Sequence, residues 1–510
     1  MVQSTSKTGV VIAGLLLAIL MASMDNSIMA TAMGTIIGDL GGLDKFAWVT
    51  SAYMVAEMAG MPIFGKLSDM YGRKRFFVFG IIVFMLGSVL CGMATSIVEL
   101  SLFRAIQGIG AGAMVPITFT IMFDTVKPEE RGKLGGLFGA VFGLSSIFGP
   151  LLGAFITDHL HWQWIFYINL PLGLIALVMI AVFYKESKNH AKQRIDWGGA
   201  ITLVGAIVCL IFALEFGGKT YAWDSAEILG LFAGFVVFAA LFIVAERKAE
   251  EPIISFRMFR SRLYATSNAL ALLSGAAFIT ASMFIPIFMQ GVLGGTATNS
   301  GMVLLPMMLG TVVTATAGGT LLGKMSYRAI MIPTLVILVA GIALLTTLSA
   351  DSPRWLVTVY MVLVGLGIGA SFSVLSNAAI HALPMNQRGA ASATLNFLRS
   401  LGMTLGITLF GIIQSHALTR KLTESFGGGD ASGLPQGLNL SDPHALMDPT
   451  SRTQLPAQVL GKITEGLSSS IVLTFAWGLI PAVLALVAGV MMSKEKFDPK
   501  AESDAYAASH

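Results

Sequence analysis

The sequence is poor in charge and in cysteine. Only 12% of its 510 residues are charged, where soluble domains carry roughly a quarter. Its two cysteines, Cys91 and Cys209, both lie in apolar segments, so we expect neither a disulfide framework nor a metal site. The phosphate-binding pattern GxxxxGK[ST] does not occur in it, which argues against transport driven by ATP.

Long apolar segments take the place of the missing charge. The composition is 55% hydrophobic, and the mean hydropathy is +0.78. A membrane-spanning helix needs ~20 mostly apolar residues, and about fourteen such segments can be placed in the chain. They lie at 9–34, 47–64, 76–95, 98–121, 134–157, 165–184, 198–216, 226–245, 264–290, 299–322, 329–349, 355–380, 391–415 and 469–492. The predicted fold class is therefore an all-α polytopic membrane protein with about 14 transmembrane helices.

Positively charged residues are distributed unevenly between the predicted loops. With Lys7 inside, 23 of the 32 lysines and arginines fall in inner segments and 7 in outer ones. Because cytoplasmic loops are enriched in these residues, both termini are predicted to be cytoplasmic. The same bias explains the net charge of +4, so no nucleic-acid partner is expected.

One long polar segment, 416–468, interrupts the predicted spans. It is rich in Gly, Ser, Pro and Asp at 427–451 and more helix-like at 456–468. The topology places it outside the cell, where a flexible loop and a gating lid are both open interpretations.

An internal repeat divides the chain. The sequence at Gly108–Ala113 recurs at Gly365–Ala370, 257 residues later, and Gly65–Ser68 recurs as Gly323–Ser326, 258 residues later. Such parallel repeats are typical of transporters built from two related six-helix halves. The domains predicted are an N-terminal six-helix bundle at 1–184, two extra helices with flanking linkers at 185–262, a C-terminal six-helix bundle at 263–492 that includes the loop 416–468, and a cytoplasmic tail at 493–510.

Charged side chains inside membrane spans are costly and usually functional. The predicted spans hold four of interest, with two amides on the same helix faces: Asp25, Glu57, Arg104 with Gln107, and Arg399 with Asn396. A carboxylate in a low-dielectric cavity can exchange protons near neutral pH and can also pair with a cationic ligand. We therefore predict roles in proton coupling or substrate binding, with Glu57 the carboxylate closest to the bilayer midplane. The alternatives are a wetted outer vestibule for Asp25 and a buried structural hydrogen bond for Glu57.

Two glycine-containing segments are candidates for conformational roles. The first is the charged turn 65–75, predicted as a cytoplasmic loop in which Asp69 can cap a helix N-terminus. The second is the fifth span, where small residues at four-residue spacing allow close helix packing and a proline can kink the helix. It is a candidate hinge, although ordinary packing is equally compatible. Its key residues are Gly143, Gly149, Pro150 and Gly153.

Together these motifs resemble the major facilitator superfamily, and within it the fourteen-helix drug/proton antiporters of the QacA-like branch. The turn 65–75 is similar to the superfamily's loop between the second and third helices, and 100–113 to its fourth-helix motif. Gly149, Pro150 and Gly153 resemble the fifth-helix antiporter motif. Asp25 stands where the branch has its first-helix aspartate, and 161–171 resembles a turn common in the branch.

The resemblance implies alternating access by rocking of two bundles, with Asp25 and Arg104 in proton coupling. It also implies that a latch loop stabilises the outward-facing state. The latch residues are Gly65, Asp69, Gly72, Arg73 and Lys74. The chain departs from the family pattern at three places, Asn26-Ser27, Ala154 and Gln163, and Glu57 belongs to no motif of the resemblance.

The expected function is proton-coupled efflux of lipophilic, cationic compounds across a bacterial cytoplasmic membrane. No enzymatic activity and no cofactor are expected, since the proton gradient is the energy source. The expected partners are small lipophilic or cationic substrates, protons and the lipid bilayer, and the protein is expected to be a monomer. Two alternatives are a proton symporter that imports a small solute and, more remotely, a membrane-embedded receptor or enzyme.

Overall fold

The computed structural model describes residues 5–40, 46–126, 131–185, 196–218, 220–295, 297–381, 383–426 and 456–497. Helices account for nearly all of them. They are α1 (Thr5–Leu40), α2 (Phe46–Tyr71), α3 (Arg73–Gly92), α4 (Ile97–Thr125), α5 (Arg131–His159), α6 (Trp164–Tyr167), α7 (Asn169–Phe183), α8 (Trp197–Phe216), α9 (Ala226–Lys248), α10 (Arg262–Ile287), α11 (Ala297–Leu321), α12 (Tyr327–Leu345), α13 (Arg354–Ile380), α14 (Met385–Phe426) and α15 (Ala457–Met491). A 3₁₀ turn at Met258–Arg260 precedes α10, and a π-helical turn at Phe288–Val292 follows it.

Twelve helices in the described part of the chain are long and apolar enough to cross a membrane. The short α6 and the following α7 together make one of these spans, at Trp164–Phe183. The two remaining long helices, α2 and α5, carry polar residues or glycine within them. The prediction of an all-helical membrane protein is confirmed, and α8 and α9 form at the two extra segments.

The helices pack as two groups that meet along two seams. An N-terminal group comprises α1–α7, and a C-terminal group comprises α10–α15. Between the groups, α2 packs along α14 and α5 packs along α11. The additional helix α8 lies against α2, and apolar residues of α8, α2 and α14 share one buried cluster. The extra helix pair therefore sits beside a seam between the groups.

The repeated glycine motif performs the same task in both groups. A Cβ atom on Gly108 of α4 would lie 2.4 Å from the carbonyl oxygen of Tyr53 on α2. A Cβ atom on Gly365 of α13 would lie 1.9 Å from the carbonyl oxygen of Met307 on α11. Since real Cβ atoms do not come so close to a backbone oxygen, each position needs glycine for the two helices to meet.

The segment predicted as a loop at 65–75 is largely helical. Helix α2 continues to Tyr71, α3 begins at Arg73, and Gly72 alone separates them with a φ of 113°. A residue with a Cβ atom is strained at such an angle, so Gly72 makes the sharp turn. Gly65, in contrast, serves close packing inside α2, and for this reason glycine there does not mark a loop.

The polar segment 416–468 is also partly helical. Helix α14 extends to Phe426, beyond the predicted span, and α15 begins at Ala457. The helix-like character predicted for 456–468 is confirmed, whereas the prediction for 427–451 lies outside the described residues. Both helices continue beyond the predicted apolar spans, because backbone hydrogen bonds can continue a helix through polar residues.

Candidate functional site

A buried polar cluster joins four helices of the N-terminal group. Asp25 of α1 pairs with Nη1 of Arg104 on α4. Its Oδ1 also accepts hydrogen bonds from Nε2 of Gln107 at 2.8 Å and from Nδ2 of Asn169 at 2.9 Å. Ser88 of α3 completes the cluster, since its hydroxyl oxygen accepts from Gln107 at 2.9 Å. Asp25 is only 3% exposed and Arg104 is fully buried, so opposite charges and amides replace water here.

Arg104 is held from several sides. The Oε1 of Gln107 accepts from its Nη1 at 2.6 Å, and its guanidinium carbon lies 4.1 Å from the centre of the Tyr53 ring. Its Nε and the Tyr53 hydroxyl are buried with no hydrogen-bond partner among the described residues. A buried guanidinium with both an ion pair and a cation–π contact is fixed in position. The pair with Asp25 is therefore ordered rather than solvated, which disfavours the vestibule interpretation.

Glu57 lies one turn after Tyr53 on α2 and is only partly buried. Its backbone is close to α4, because a Cβ atom on Gly112 would lie 2.6 Å from the Glu57 carbonyl oxygen. In the described part of the chain, no hydrogen bond or ion pair to the Glu57 carboxylate is found. The structure thus places this carboxylate one helical turn along α2 from Tyr53, whose ring contacts Arg104.

The second predicted pair, Arg399 and Asn396, lies in the C-terminal group and away from this cluster. Nη1 of Arg399 donates to the Asn396 side-chain oxygen at 3.3 Å, and Nη2 donates to the carbonyl oxygen of Ser371 on α13 at 3.2 Å. The guanidinium carbon stands 4.8 Å from the centre of the Phe372 ring. The structure therefore confirms that Asn396 and Arg399 share a helix face but does not bring them to Asp25.

A third cluster connects the two groups at one end of the bundle. The Asp69 carboxylate accepts hydrogen bonds from the backbone N–H groups of Gly389, at 3.0 Å, and Ala390, at 2.9 Å, in the first turns of α14. Arg73 pairs with Asp69 at 3.1 Å and also with Asp124 at the end of α4. Asp69 thus accepts from backbone N–H groups near the beginning of a helix, and that helix belongs to the opposite group.

Burial raises the pKa of the Asp69 carboxyl above its ordinary value, while Arg73 and the two N–H groups act in the opposite direction. These partners therefore support a charge that burial alone would disfavour. A negative charge at the N-terminus of α14 is also favoured by the helix dipole. The charged form of Asp69 therefore contributes to the contact between α2 and α14, and separation of the groups removes two of its partners.

Gly65 and Lys66 extend the contact made by Asp69. A Cβ atom on Gly65 would lie 2.2 Å from the Cβ atom of Ala393 on α14. Nζ of Lys66 pairs with Glu251, in the segment after α9, at 2.7 Å. The latch residue Lys74 is half-buried in the first turn of α3. The cluster of Asp69, Arg73 and Asp124, with Gly65 beside it, is called the latch below.

Alanine at Gly65 is expected to weaken closure of the latch, because the added methyl group would overlap Ala393 and force α2 away from α14. We expect the initial rate of substrate efflux to fall about tenfold, a loss of about 1.4 kcal/mol in the balance between conformations. Exchange of the Gly389 and Ala390 amide protons, measured by mass spectrometry, should become faster.

The control for this substitution is Gly411 of α14, around which no atom lies within 4 Å of an added Cβ. Alanine there should leave both readouts unchanged, since a helical alanine is favourable by itself. Equal effects at Gly65 and Gly411 would contradict a steric role for Gly65.

The fifth-span motif packs against α1. A Cβ atom on Gly149 would lie 2.0 Å from the Ser27 hydroxyl oxygen, and one on Gly153 would lie 2.0 Å from the Thr31 hydroxyl oxygen. Pro150 lies between them inside α5, and Gly143 lies on the same helix in a stretch whose side chains are outside the described residues. The predicted packing face is present, and a hinge at this face stays a prediction.

Sequence reasoning missed several residues of these clusters. Ser88 is uncharged, and nothing in the sequence separates it from other polar residues in spans. Asn169 lies in the family-like turn 161–171, but that resemblance gives it no role in the site. Asp124 ends an apolar run, where a carboxylate is unremarkable. The repeat offset of 257 places Asp124 opposite His381, a different residue type, and so does not single it out.

Comparisons with known proteins agree with this geometry. The sequence profile of the Major Facilitator Superfamily matches residues 15–407. The chain is 53% identical over 498 residues to Multidrug resistance protein 3 of Bacillus subtilis, covering 98% of this chain and 97% of that protein. It is 36% identical over 520 residues to Multidrug transporter protein MdtP of the same organism, covering 98% and 95%.

Solved structures show the same fold. The proton:xylose symporter XylE superposes with a TM-score of 0.60 at 12% identity, covering 98% of this chain and 99% of that one. The human organic anion transporter MFSD10 superposes with a TM-score of 0.58 at 14% identity, covering 94% and 100%. With a family profile over most of its length and a relative of 53% identity, the chain belongs to the Major Facilitator Superfamily.

Proposed function

We propose that this protein is a proton-coupled multidrug efflux antiporter that exports lipophilic, cationic compounds by alternating access. Its relatives are named for multidrug resistance and multidrug transport. The proposed proton coupling is supported by the buried Asp25–Arg104 pair and by the Glu57 carboxylate, which has no hydrogen bond or ion pair among the described residues and lies one turn after Tyr53, the ring in contact with Arg104. Such a group can exchange one cation for another, a proton for a drug.

The proposed topology has fourteen spans, with α2 and α5 crossing the membrane along with the twelve apolar helices. At 1.5 Å per residue, the 26 residues of α2 measure ~39 Å and the 29 residues of α5 ~43 Å, so both can cross a core ~30 Å thick. Each packs along helices that do cross. Fourteen spans put both termini in the cytoplasm of a bacterial cell, as the positive-inside rule favours.

The latch then lies on the cytoplasmic face, and its closed contact corresponds to an outward-facing state. In this state a proton from outside would reach Glu57 or Asp25 and displace a bound cationic drug. Neutralising Asp25 weakens its ion pair with Arg104, and neutralising either carboxylate weakens the attraction to a cationic drug, which lowers the cost of changing conformation. Opening of the latch would next expose the carboxylates to the cytoplasm, where the proton leaves and a new drug binds.

The function is tested in proteoliposomes loaded with a fluorescent lipophilic cation under an imposed pH gradient. Antiport predicts uphill movement of the dye against an opposing flux of protons, abolished by a protonophore. Accumulation of solute in the direction of the proton flux would instead support a symporter, and no gradient dependence would reject both.

Glutamine at Glu57 should lower proton-driven efflux of a cationic dye at least tenfold, because the amide can neither release a proton nor neutralise a cation. Its pH dependence should flatten as well. The initial rate is measured as a function of external pH in the same vesicles. The exposed Glu227, in the first turn of α9, supplies the matched control, and its glutamine variant should behave as the unaltered protein. Unchanged transport and unchanged pH dependence in E57Q would remove Glu57 from the mechanism.

A further inference from the structure

Of the buried arginines in the described residues, Arg104 and Arg399 lie well inside their helices, one in each helix group, and their surroundings differ. Arg104 has the carboxylate of Asp25 as its counter-ion. Arg399 is 8% exposed, and its hydrogen-bond acceptors are a side-chain amide and a backbone carbonyl, both neutral. No ion pair joins Arg399 to a carboxylate in the described residues. A guanidinium stays protonated in proteins, so this charge is present and uncompensated.

The helices α10–α13 and the part of α14 around Arg399 contain no carboxylate at that depth, and Glu465 of α15 lies near Lys421 and Leu422 at the far end of α14. Between Glu251 and Glu424 the sequence holds a single acidic residue, Asp351, in the turn that precedes α13. Ser371, which accepts from Arg399, is 17 residues after Arg354 at the beginning of α13, or ~25 Å along the helix. An uncompensated positive charge in the middle of a membrane protein is costly. A residue of this kind usually lies on the path of a substrate or ion.

Arg399 lies next to the seam that alternating access would open. Its neighbours Phe397 and Leu398 belong to the apolar cluster that α14 shares with α2. One turn further along, the Thr404 hydroxyl contacts the Met58 sulfur at 3.7 Å, and Met58 follows Glu57 directly. Thr404 is five residues after Arg399, so along α14 Arg399 stands ~7.5 Å closer to the latch than the level of Met58, and it belongs to the helix on the opposite side of the seam.

We propose that Arg399 is the binding site for the carboxylate of zwitterionic amphiphiles, so that the transporter accepts compounds carrying both a positive and a negative group. The guanidinium would bind the carboxylate through paired N–H donors, with Asn396 orienting it and Phe372 beneath it. Glu57 would face the positive group from the other side of the seam. This inference rests on the proposed function for its transport path but concerns selectivity, which equilibrium binding measures without any gradient.

The test compares two dyes that differ in one group: rhodamine B, a zwitterion with a free carboxylate, and its ethyl ester, which is a cation only. Binding to purified protein in detergent is measured by fluorescence polarisation. The unaltered protein should prefer the zwitterion, and R399M should lower the ratio of the two affinities at least tenfold. R399K keeps the charge but loses the planar guanidinium with its paired N–H donors, so its affinity ratio should lie between those of the unaltered protein and R399M. The exposed Arg354→Gln serves as the control and should keep the ratio of the unaltered protein.

Thermal unfolding provides a readout that does not involve ligand. Replacing an uncompensated buried cation by an apolar residue of similar length is expected to preserve or raise the unfolding temperature of R399M. R104M should lower the unfolding temperature, since that change leaves the buried Asp25 carboxylate without its counter-ion. The inference is overturned if the affinity ratio survives in R399M, if both dyes lose affinity equally, or if the unaltered protein binds the ester as tightly as the zwitterion. Loss of proton-driven transport with the affinity ratio intact would count against the proposed function alone.

Discussion

Asparagine at Asp25 is expected to abolish proton-driven efflux, with the initial rate falling at least about 100-fold. The substitution removes the counter-ion of a fully buried guanidinium, and it replaces one of the two carboxylate oxygens that accept from Arg104, Gln107 and Asn169 by an NH2 donor. Breaking a buried ion pair by removing one partner costs about 3–5 kcal/mol, so the unfolding temperature should fall as well. Efflux in proteoliposomes and thermal unfolding in detergent measure the two effects separately.

A double-mutant cycle separates coupling from stability. R104Q alone should destabilise the protein as D25N does, because it leaves the carboxylate unpaired. The double variant D25N/R104Q has no unpaired charge and should recover much of the unfolding temperature. Its proton-driven transport should stay low, since both the Asp25 carboxylate and its cation are gone and only Glu57 remains. Asp39, exposed near the end of the same helix, supplies the control, and D39N should change neither readout.

Recovery of transport along with stability in the double variant would mean that Asp25 and Arg104 are only a structural pair. In that case Glu57 alone would have to carry the proton. Full transport in D25N would rule out a coupling role for Asp25 in the same way. The transport and stability of these variants thus show whether Asp25 or Glu57 carries the proton.

The charged part of the site was predictable from the sequence, because a charge within a long apolar run is conspicuous. Asp25, Arg104 and Gln107 were identified on that basis, and the structure brings them together. Ser88 and Asn169 were not, since their importance comes from where α3 and α7 place them. Side chains that merely complete a hydrogen-bond network have no signature in a single sequence.

The latch shows the opposite limitation. Glycine, aspartate and arginine near residue 70 predicted a turn, yet most of the segment is helix, and Gly65 is needed for packing on Ala393. The donors that Asp69 binds are backbone N–H groups about 320 positions away. Almost every residue has such a group, so the residue types at these positions could not identify them. The repeat does predict the scaffold of both groups, because close helix contacts require glycine at matching positions. It does not predict which copy carries charge.

Asparagine at Asp69 is expected to open the latch and lower efflux about 30-fold. The change removes a negative charge from the first turns of α14 and from Arg73, and its amide hydrogens would face the N–H groups that the carboxylate now binds. Loss of such charge-assisted hydrogen bonds costs about 2 kcal/mol, which shifts the balance toward the inward-facing state. Spin labels at Arg75→Cys and Asn386→Cys, both at exposed positions beside the latch, should report a longer distance in D69N.

The repeat supplies the comparison that makes this test specific, since Tyr327 stands 258 residues after Asp69. Its hydroxyl lies 3.1 Å from Nδ1 of His381, the repeat counterpart of Asp124, and His381 in turn pairs with Glu495 at 3.5 Å. These contacts lie within the C-terminal group and its following segment, whereas Asp69 bridges the two groups. Y327F should therefore change the label distance and the efflux rate much less than D69N. Equal effects at the two positions would show that the latch is symmetric, and the unequal division of charge between the halves would then have no part in closing it.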